Sequence, residues 1–214
     1  MKKLIVILVC IGLLAFAGIG SSTVISFDDI TIPNPSSSSF KIPSSYAGFN
    51  WTWYGAGDGG WSVIDDVRVT TWGAPASPSV GTIAAFNAYA SNALWIESSS
   101  LFNFTSAEFA AQGDYGPEFI KVSAYYDDTL LGYVEMALSG SNYATLYGSS
   151  AMVGANRLKL TYTPYNEAQT GFWLMDNFAY NEEYNGNGEV PIPEPATLIL
   201  IGLGLIGLGL ARRR

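Results

Sequence analysis

Through the middle of the chain, apolar and polar side chains alternate with a period of two. Over 118–126 (EFIKVSAYY), Ile120, Val122 and Ala124 fall on one face, and Lys121, Ser123 and Tyr125 on the other. Over 156–163 (NRLKLTYT), Leu158, Leu160 and Tyr162 oppose Arg157, Lys159 and Thr161. Successive side chains of an extended chain point to opposite sides, so this pattern predicts half-buried antiparallel strands. Further strands are predicted at STVISF, GFNWTWY, VIDDVRVTT, TIAAFNA, ALWIE, LFNFTS, TLLGYVEMAL, NYATLYG and GFWLMDNFAY. Asp127-Asp128, between two strands, predicts a hairpin turn. SAEFAAQGD offers one turn of helix, and no long stretch has helical spacing. Many short strands separated by Gly, Ser, Asn and Asp predict an all-β antiparallel β-sandwich, of the jelly-roll kind.

The two ends follow other rules. Lys2 and Lys3, an apolar run from Leu4 to Phe16, and the small-residue site Ala15-Phe16-Ala17 predict a signal peptide over 1–21, read by the Sec translocon. Residues 196–211 carry no charge. As a transmembrane helix they would reach about 24 Å, short of the roughly 30 Å of hydrocarbon in a bilayer. Arg212, Arg213 and Arg214 follow, and the positive-inside rule puts them in the cytoplasm. Between the ends lie a β-sandwich domain, 22–180, and an acidic flexible stalk, 181–191.

Composition removes several chemistries. The chain has no histidine, and its one cysteine, Cys10, would leave with the signal peptide. Ser-His-Asp and Cys-His catalysis and the ordinary zinc sites are therefore excluded, and the body must be held by its core without disulfides. Residues 22–189 hold five cations against seventeen acids, a formal charge of −12. Such a body repels phosphate backbones, so nucleic acid is not an expected partner.

What remains is aromatic and acidic. GFNWTWYGAGDGGW packs Trp51, Trp53, Tyr54 and Trp61 around Asp58 in a glycine-rich stretch. Indole faces stack on the C–H faces of sugar rings, and Asp58 can accept hydroxyl hydrogen bonds, so these five residues form the candidate carbohydrate-binding set. The competing reading has the large aromatics filling the core. Tyr115, Tyr125 and Tyr126 are further aromatic candidates. Paired carboxylates would serve a glycan-active hydrolase, drawing on Asp65, Asp66, Asp127, Asp128, Glu97 and Glu135. Neighbours along a strand point to opposite faces, however, which weighs against the adjacent pairs.

Two resemblances extend this reading. Pro193-Glu194-Pro195, a short apolar segment and the arginine cluster, spanning 192–214, resemble the PEP-CTERM sorting signal of Gram-negative bacteria. The resemblance implies recognition by an exosortase, processing near Pro193-Glu194-Pro195, passage through the inner membrane, and delivery to the cell surface or extracellular matrix. ISFDDI, IPSSYAGFNW and GFWLMDNFAY together resemble a PEP-CTERM-borne domain of the carbohydrate-binding, galactose-binding-like jelly-roll kind. That implies a non-enzymatic protein that binds or organises exopolysaccharide; the alternatives are a purely structural surface protein and the carboxylate hydrolase. Because the first and last strands of jelly rolls lie close together, Asp28, Asp29 and Asp176 are candidate ligands for the structural calcium that such domains often carry. The same acids also suit turn caps and backbone amides.

Overall fold

The computed structural model describes residues 22–33, 40–55, 58–66, 81–112, 116–140, 142–164 and 171–182. All belong to one of the chain's two units, Ser22–Glu183. The expected signal peptide, the sorting signal with its helix over 196–211, and most of the stalk lie outside the described residues. Among the described residues no helix is long and apolar enough to cross a membrane.

The described residues are almost entirely strand: β1 (Thr23–Ile25), β2 (Phe40–Lys41), β3 (Ser45–Tyr46), β4 (Phe49–Trp53), β5 (Gly60–Asp65), β6 (Ile83–Ala88), β7 (Leu94–Ala111), β8 (Pro117–Tyr126), β9 (Thr129–Ala137), β10 (Ala144–Tyr147), β11 (Ala155–Pro164) and β12 (Trp173–Glu182). A 3-10 turn at Ser150–Met152 precedes β11. Hydrogen bonding joins them in the order β2-β5-β6-β12-β7-β11-β8-β9, with β1 beside β12, β10 beside β7, and β3 and β4 attached through β7. Every pairing is antiparallel. The first and last strands do adjoin, with Ile25 opposite Phe178.

Strand β7 makes the sandwich. Its first residues, Leu94–Glu97, pair with β4 and β11, while its later residues pair with β12 and β10. One 18-residue strand thus serves both layers. Across the gap, Trp51 of β4 meets Trp61 of β5 edge-on at 5.0 Å, and Phe49 meets Phe178 of β12 at 5.6 Å. The residues expected to form a helical turn, 106–111, are strand instead. Partners on both edges outweigh the mild helical preference of alanine there.

Local chemistry sets the hairpins. Ala47 and Gly48, between β3 and β4, both have positive φ, as a tight type I′ turn requires. Asp127 takes φ 50° in the β8–β9 turn, a conformation that Asp tolerates better than most residues. Asn156 clamps that turn: Asp127 N–H donates to Asn156 Oδ1, and Asn156 Nδ2 donates back to Asp127 Oδ1, each at 2.8 Å.

The alternation decides burial as expected in β8 and β11, where Ile120, Val122, Ala124, Leu158 and Leu160 enter the core. β6 departs from it, being buried on both faces. Ala85 packs into the main core, whereas Ala84, Phe86 and Ala88 join Ile64, Ala110 and Leu174 in a second apolar cluster, backed by Tyr143 and Phe172.

Candidate functional site

The chain leaving β4 and entering β5 forms one wall of an open cleft of about 460 Å³, and the β6–β7 turn forms the other. Trp53, Asp58 and Gly59 line the first wall; Tyr89, Ala90, Ser91 and Asn92 line the second. Glycine is needed at the base of the first wall. A Cβ at Gly59 would fall 2.2 Å from Ser91 Oγ and 2.6 Å from the Trp53 ring, and one at Gly55 would overlap the same indole. The glycine backbone therefore lies against Trp53, which is half-buried at the rim of the core.

The second wall is strained and tightly held. Tyr89, Ala90 and Ala93 all have positive φ, at 54°, 51° and 64°. Each residue with a Cβ costs roughly 1–2 kcal/mol in that region. Hydrogen bonds from four side chains offset this strain. Buried Asn87 donates to the carbonyls of Ser91 and Gly171 and accepts from Trp173 N–H at 2.8 Å. Ser91 Oγ donates to Ala88 O and accepts from Gly60 N–H, which ties the two walls together. Asn92 Oδ1 accepts from the backbone N–H of Ala93 and of Tyr162. Tyr162 Oη donates to Ala90 O at 2.8 Å. Burial holds that phenol above its ordinary pKa, so it stays protonated and keeps donating. Tyr89 rides on this turn with 75% of its surface exposed. The held backbone carries Tyr89 to the cleft wall opposite Trp53.

The five expected binding residues separate. Trp53 and Asp58 come together at the cleft. Trp51 and Trp61, each 4% exposed, are core residues: the inward face of β4 and β5 is the packed interior, and each indole N–H is spent on a backbone carbonyl, Tyr46 O and Trp95 O respectively. Tyr54 turns to the opposite side of β4, where its hydroxyl donates to Glu97 and its ring meets Trp95 edge-on. Tyr89 was not among the expected residues. Its signal in sequence was the stretch Tyr89–Ala93 between two strands, which carries no glycine and reads as an ordinary short connection.

Each of the candidate calcium ligands has a protein partner of its own. Asp28 accepts from the backbone N–H of Thr82 and Ile83, at 2.8 and 3.2 Å. Asp29 accepts from the Tyr46 hydroxyl. Burial, reinforced by that bond and by the charges of Asp29 and Asp28, keeps the Tyr46 phenol well above its ordinary pKa. Asp176 is fully buried and accepts from Asn177 N–H. Among the described residues no three acidic side chains gather as a metal site. The bonds of Asp28 match the alternative role expected for it, that of a backbone acceptor.

Residues 191–214 match the PEP-CTERM protein-sorting motif, which marks the chain as one sorted to the cell surface. No curated protein matches the chain in sequence. Among solved structures it is similar to the K2 cleaved adhesin domain of Lys-gingipain, at 9% identity over 75% of this chain and 99% of that one, with a TM-score of 0.50. It is also similar to the CBM22-1 xylan-binding domain of Paenibacillus barcinonensis Xyn10C, at 11% identity over 76% and 95% of the two chains, TM-score 0.44. A family 29 carbohydrate-binding module aligns at 16% identity over 76% and 88%, TM-score 0.38. At these identities the likeness is one of fold, and the adhesin domain alone of the three reaches a score that carries it.

Proposed function

We propose that this chain is an exported, non-catalytic surface protein that binds glycan in the cleft between Trp53 and Tyr89. One observation carries the reading: an exposed tyrosine on a strained, hydrogen-bonded turn lines an open cleft opposite a half-buried tryptophan. Strain maintained in this way is a feature of ligand clamps. Sugar rings stack on aromatic faces, and a backbone already held in place loses little entropy when the ring it carries does so. Asp58 supplies a hydroxyl acceptor and disfavours carboxylated sugars, so the cleft's ligand is an uncharged glycan. The sorting motif supports delivery to the surface; processing by an exosortase and a place in exopolysaccharide belong to the same proposal.

The carboxylate hydrolase finds less support. Glycoside hydrolysis needs two carboxyl groups flanking the bond. Among the described residues lining the cleft, Asp58 is the single acid. Asp127 and Asp128 form a hairpin turn, and Glu97 is engaged by Thr52, Tyr54 and Arg157.

Affinity electrophoresis of the full-length chain in mild detergent, through gels containing neutral glucans, mannans and xylans, tests the reading. Retardation by at least one of them is expected, and Tyr89→Ala should weaken it roughly tenfold, the scale of one lost aromatic stack. No retardation on any neutral glycan, or an unchanged Tyr89→Ala, overturns it. Release of reducing sugar would favour the hydrolase.

A further inference from the structure

The other layer of the sandwich presents a second surface, on the far side of β4 from the cleft. Register aligns Thr52, Trp95, Lys159, Ser123 and Tyr133 in one outward row across β4, β7, β11, β8 and β9. Glu97, Arg157 and Tyr125 form the row on one side; Thr161, Lys121 and Glu135 form the row on the other. Three of the five cations in 22–189 therefore stand on a single sheet face of a body with formal charge −12.

The cations differ in how they are used. Arg157 Nε donates to Glu97 at 2.8 Å and Nη1 to Asp128 at 3.0 Å. Burial pulls the guanidinium down, but the hydrogen bond and charge of Glu97 outweigh it, and the group is held above its ordinary pKa. Its role is to fix the surface. Among the described residues Lys121 and Lys159 make no ion pair, although Glu135 stands opposite Lys121 in the register. Each lies over an aromatic ring instead: Lys121 Nζ is 3.9 Å from the centre of Tyr133, and Lys159 Nζ is 5.4 Å from that of Trp95. The rings steady the lysine stems while leaving the ammonium groups available. Tyr54 and Tyr125 flank Trp95 at 6.3 and 5.6 Å. From Trp95 to Tyr133 is three strand spacings, about 14 Å.

We infer that this face is a second binding surface and that its ligand is an acidic polysaccharide, a chain bearing carboxylates on its sugar rings. Carboxylates meet Lys159 in the central row and Lys121 in the next, each ammonium steadied by the ring beneath it, Trp95 or Tyr133. Nucleic acid fits less well. Duplex DNA carries one charge per roughly 1.7 Å, and the acids surrounding this small basic strip repel so dense a charge.

The test is titration calorimetry of the full-length chain in mild detergent with polygalacturonate and, separately, single-stranded DNA. Polygalacturonate should bind, and added salt should weaken it, because exposed charges are screened. The double substitution Lys121→Gln with Lys159→Gln should reduce affinity by roughly tenfold or more, whereas Tyr89→Ala in the cleft should leave it unchanged. Both lysines are surface groups, so an unchanged unfolding midpoint will show the fold intact. The inference is overturned by no binding of polygalacturonate, by wild-type affinity in the double variant, or by single-stranded DNA bound as tightly as the polysaccharide. Loss of polygalacturonate binding in Tyr89→Ala would place the acidic ligand in the cleft and overturn it too.

Discussion

β6 and β8 belong to the same folded sheet and are used in opposite ways. β6 is buried on both faces, with Ala85 in the main core and Ala84, Phe86 and Ala88 in the second cluster. β8 buries Ile120, Val122 and Ala124 on one face and sets Lys121, Ser123 and Tyr125 on the other, where Lys121 and Tyr125 are partly exposed and Ser123 is buried. The contrast separates two tasks. The layer around β6 holds the turn that carries Tyr89, through Asn87 at its end, and the layer around β8 offers a broad surface whose outward residues contribute little to folding.

Removing a side chain from the doubly buried strand sharpens that contrast most. Phe86→Ala should destabilise the protein by about 3–5 kcal/mol, read as a lower urea midpoint, because it deletes an aromatic ring from a packed cluster. A loss under about 1 kcal/mol would mean that the outer face of β6 is not held as a core and would break the comparison.

Asn87→Ala is the next largest. It removes two donated bonds and one accepted bond inside the protein, and should cost about 2–3 kcal/mol. It should also release the Tyr89 turn, seen as faster hydrogen exchange at the Ser91 amide, which donates to Ala88 O within that turn; unchanged exchange there would uncouple the turn from Asn87.

Asp28→Ala should cost about 1 kcal/mol, since it removes an acceptor from two backbone amides at a largely exposed turn. Calcium and EDTA give the same variant a second use. A thermal midpoint that moves with neither leaves Asp28 as a backbone acceptor, while a midpoint raised by calcium in wild type and not in Asp28→Ala would restore the ion expected from the sequence.

The smallest effect is expected at Lys159→Gln, where stability should change by less than about 0.5 kcal/mol, as at most positions outside the core. A larger loss would show that the outward row of β8 and β11 is part of the folding core after all.

Most of the fold was legible because alternation and turn chemistry are local. Arg157, Lys159 and Thr161 were read as one face, and Asp127-Asp128 as a hairpin, from neighbouring residues alone. The continuous apolar run Ile83–Phe86 carried the sign of double burial, but a short apolar run fits several settings until its partners are known. The 106–111 segment misled for the same reason: its strand state depends on β10 and β12, which are remote in sequence. The site was half legible. Glycines around Trp53 and Asp58 marked a loop with an aromatic in it. Which indoles would turn inward depended on the second layer, however, and Trp51 and Trp61 became core because each other's ring supplied the packing. Tyr89 left no mark, since its positive φ is imposed by Asn87, Asn92 and Tyr162 from three different strands or turns.

The position of β12 has a mechanical consequence. It lies between β7 on one side and β1 and β6 on the other, and the chain continues from it towards the sorting motif. Ladder hydrogen bonds run across the strands, so tension applied along β12 from its C-terminal end loads many of them in shear at once. A strand at the sheet's edge would instead peel away bond by bond. Should the chain be held from its C-terminal side while a ligand pulls on its cleft, the load would run along this line, and the strand bearing it is the one clasped from both sides.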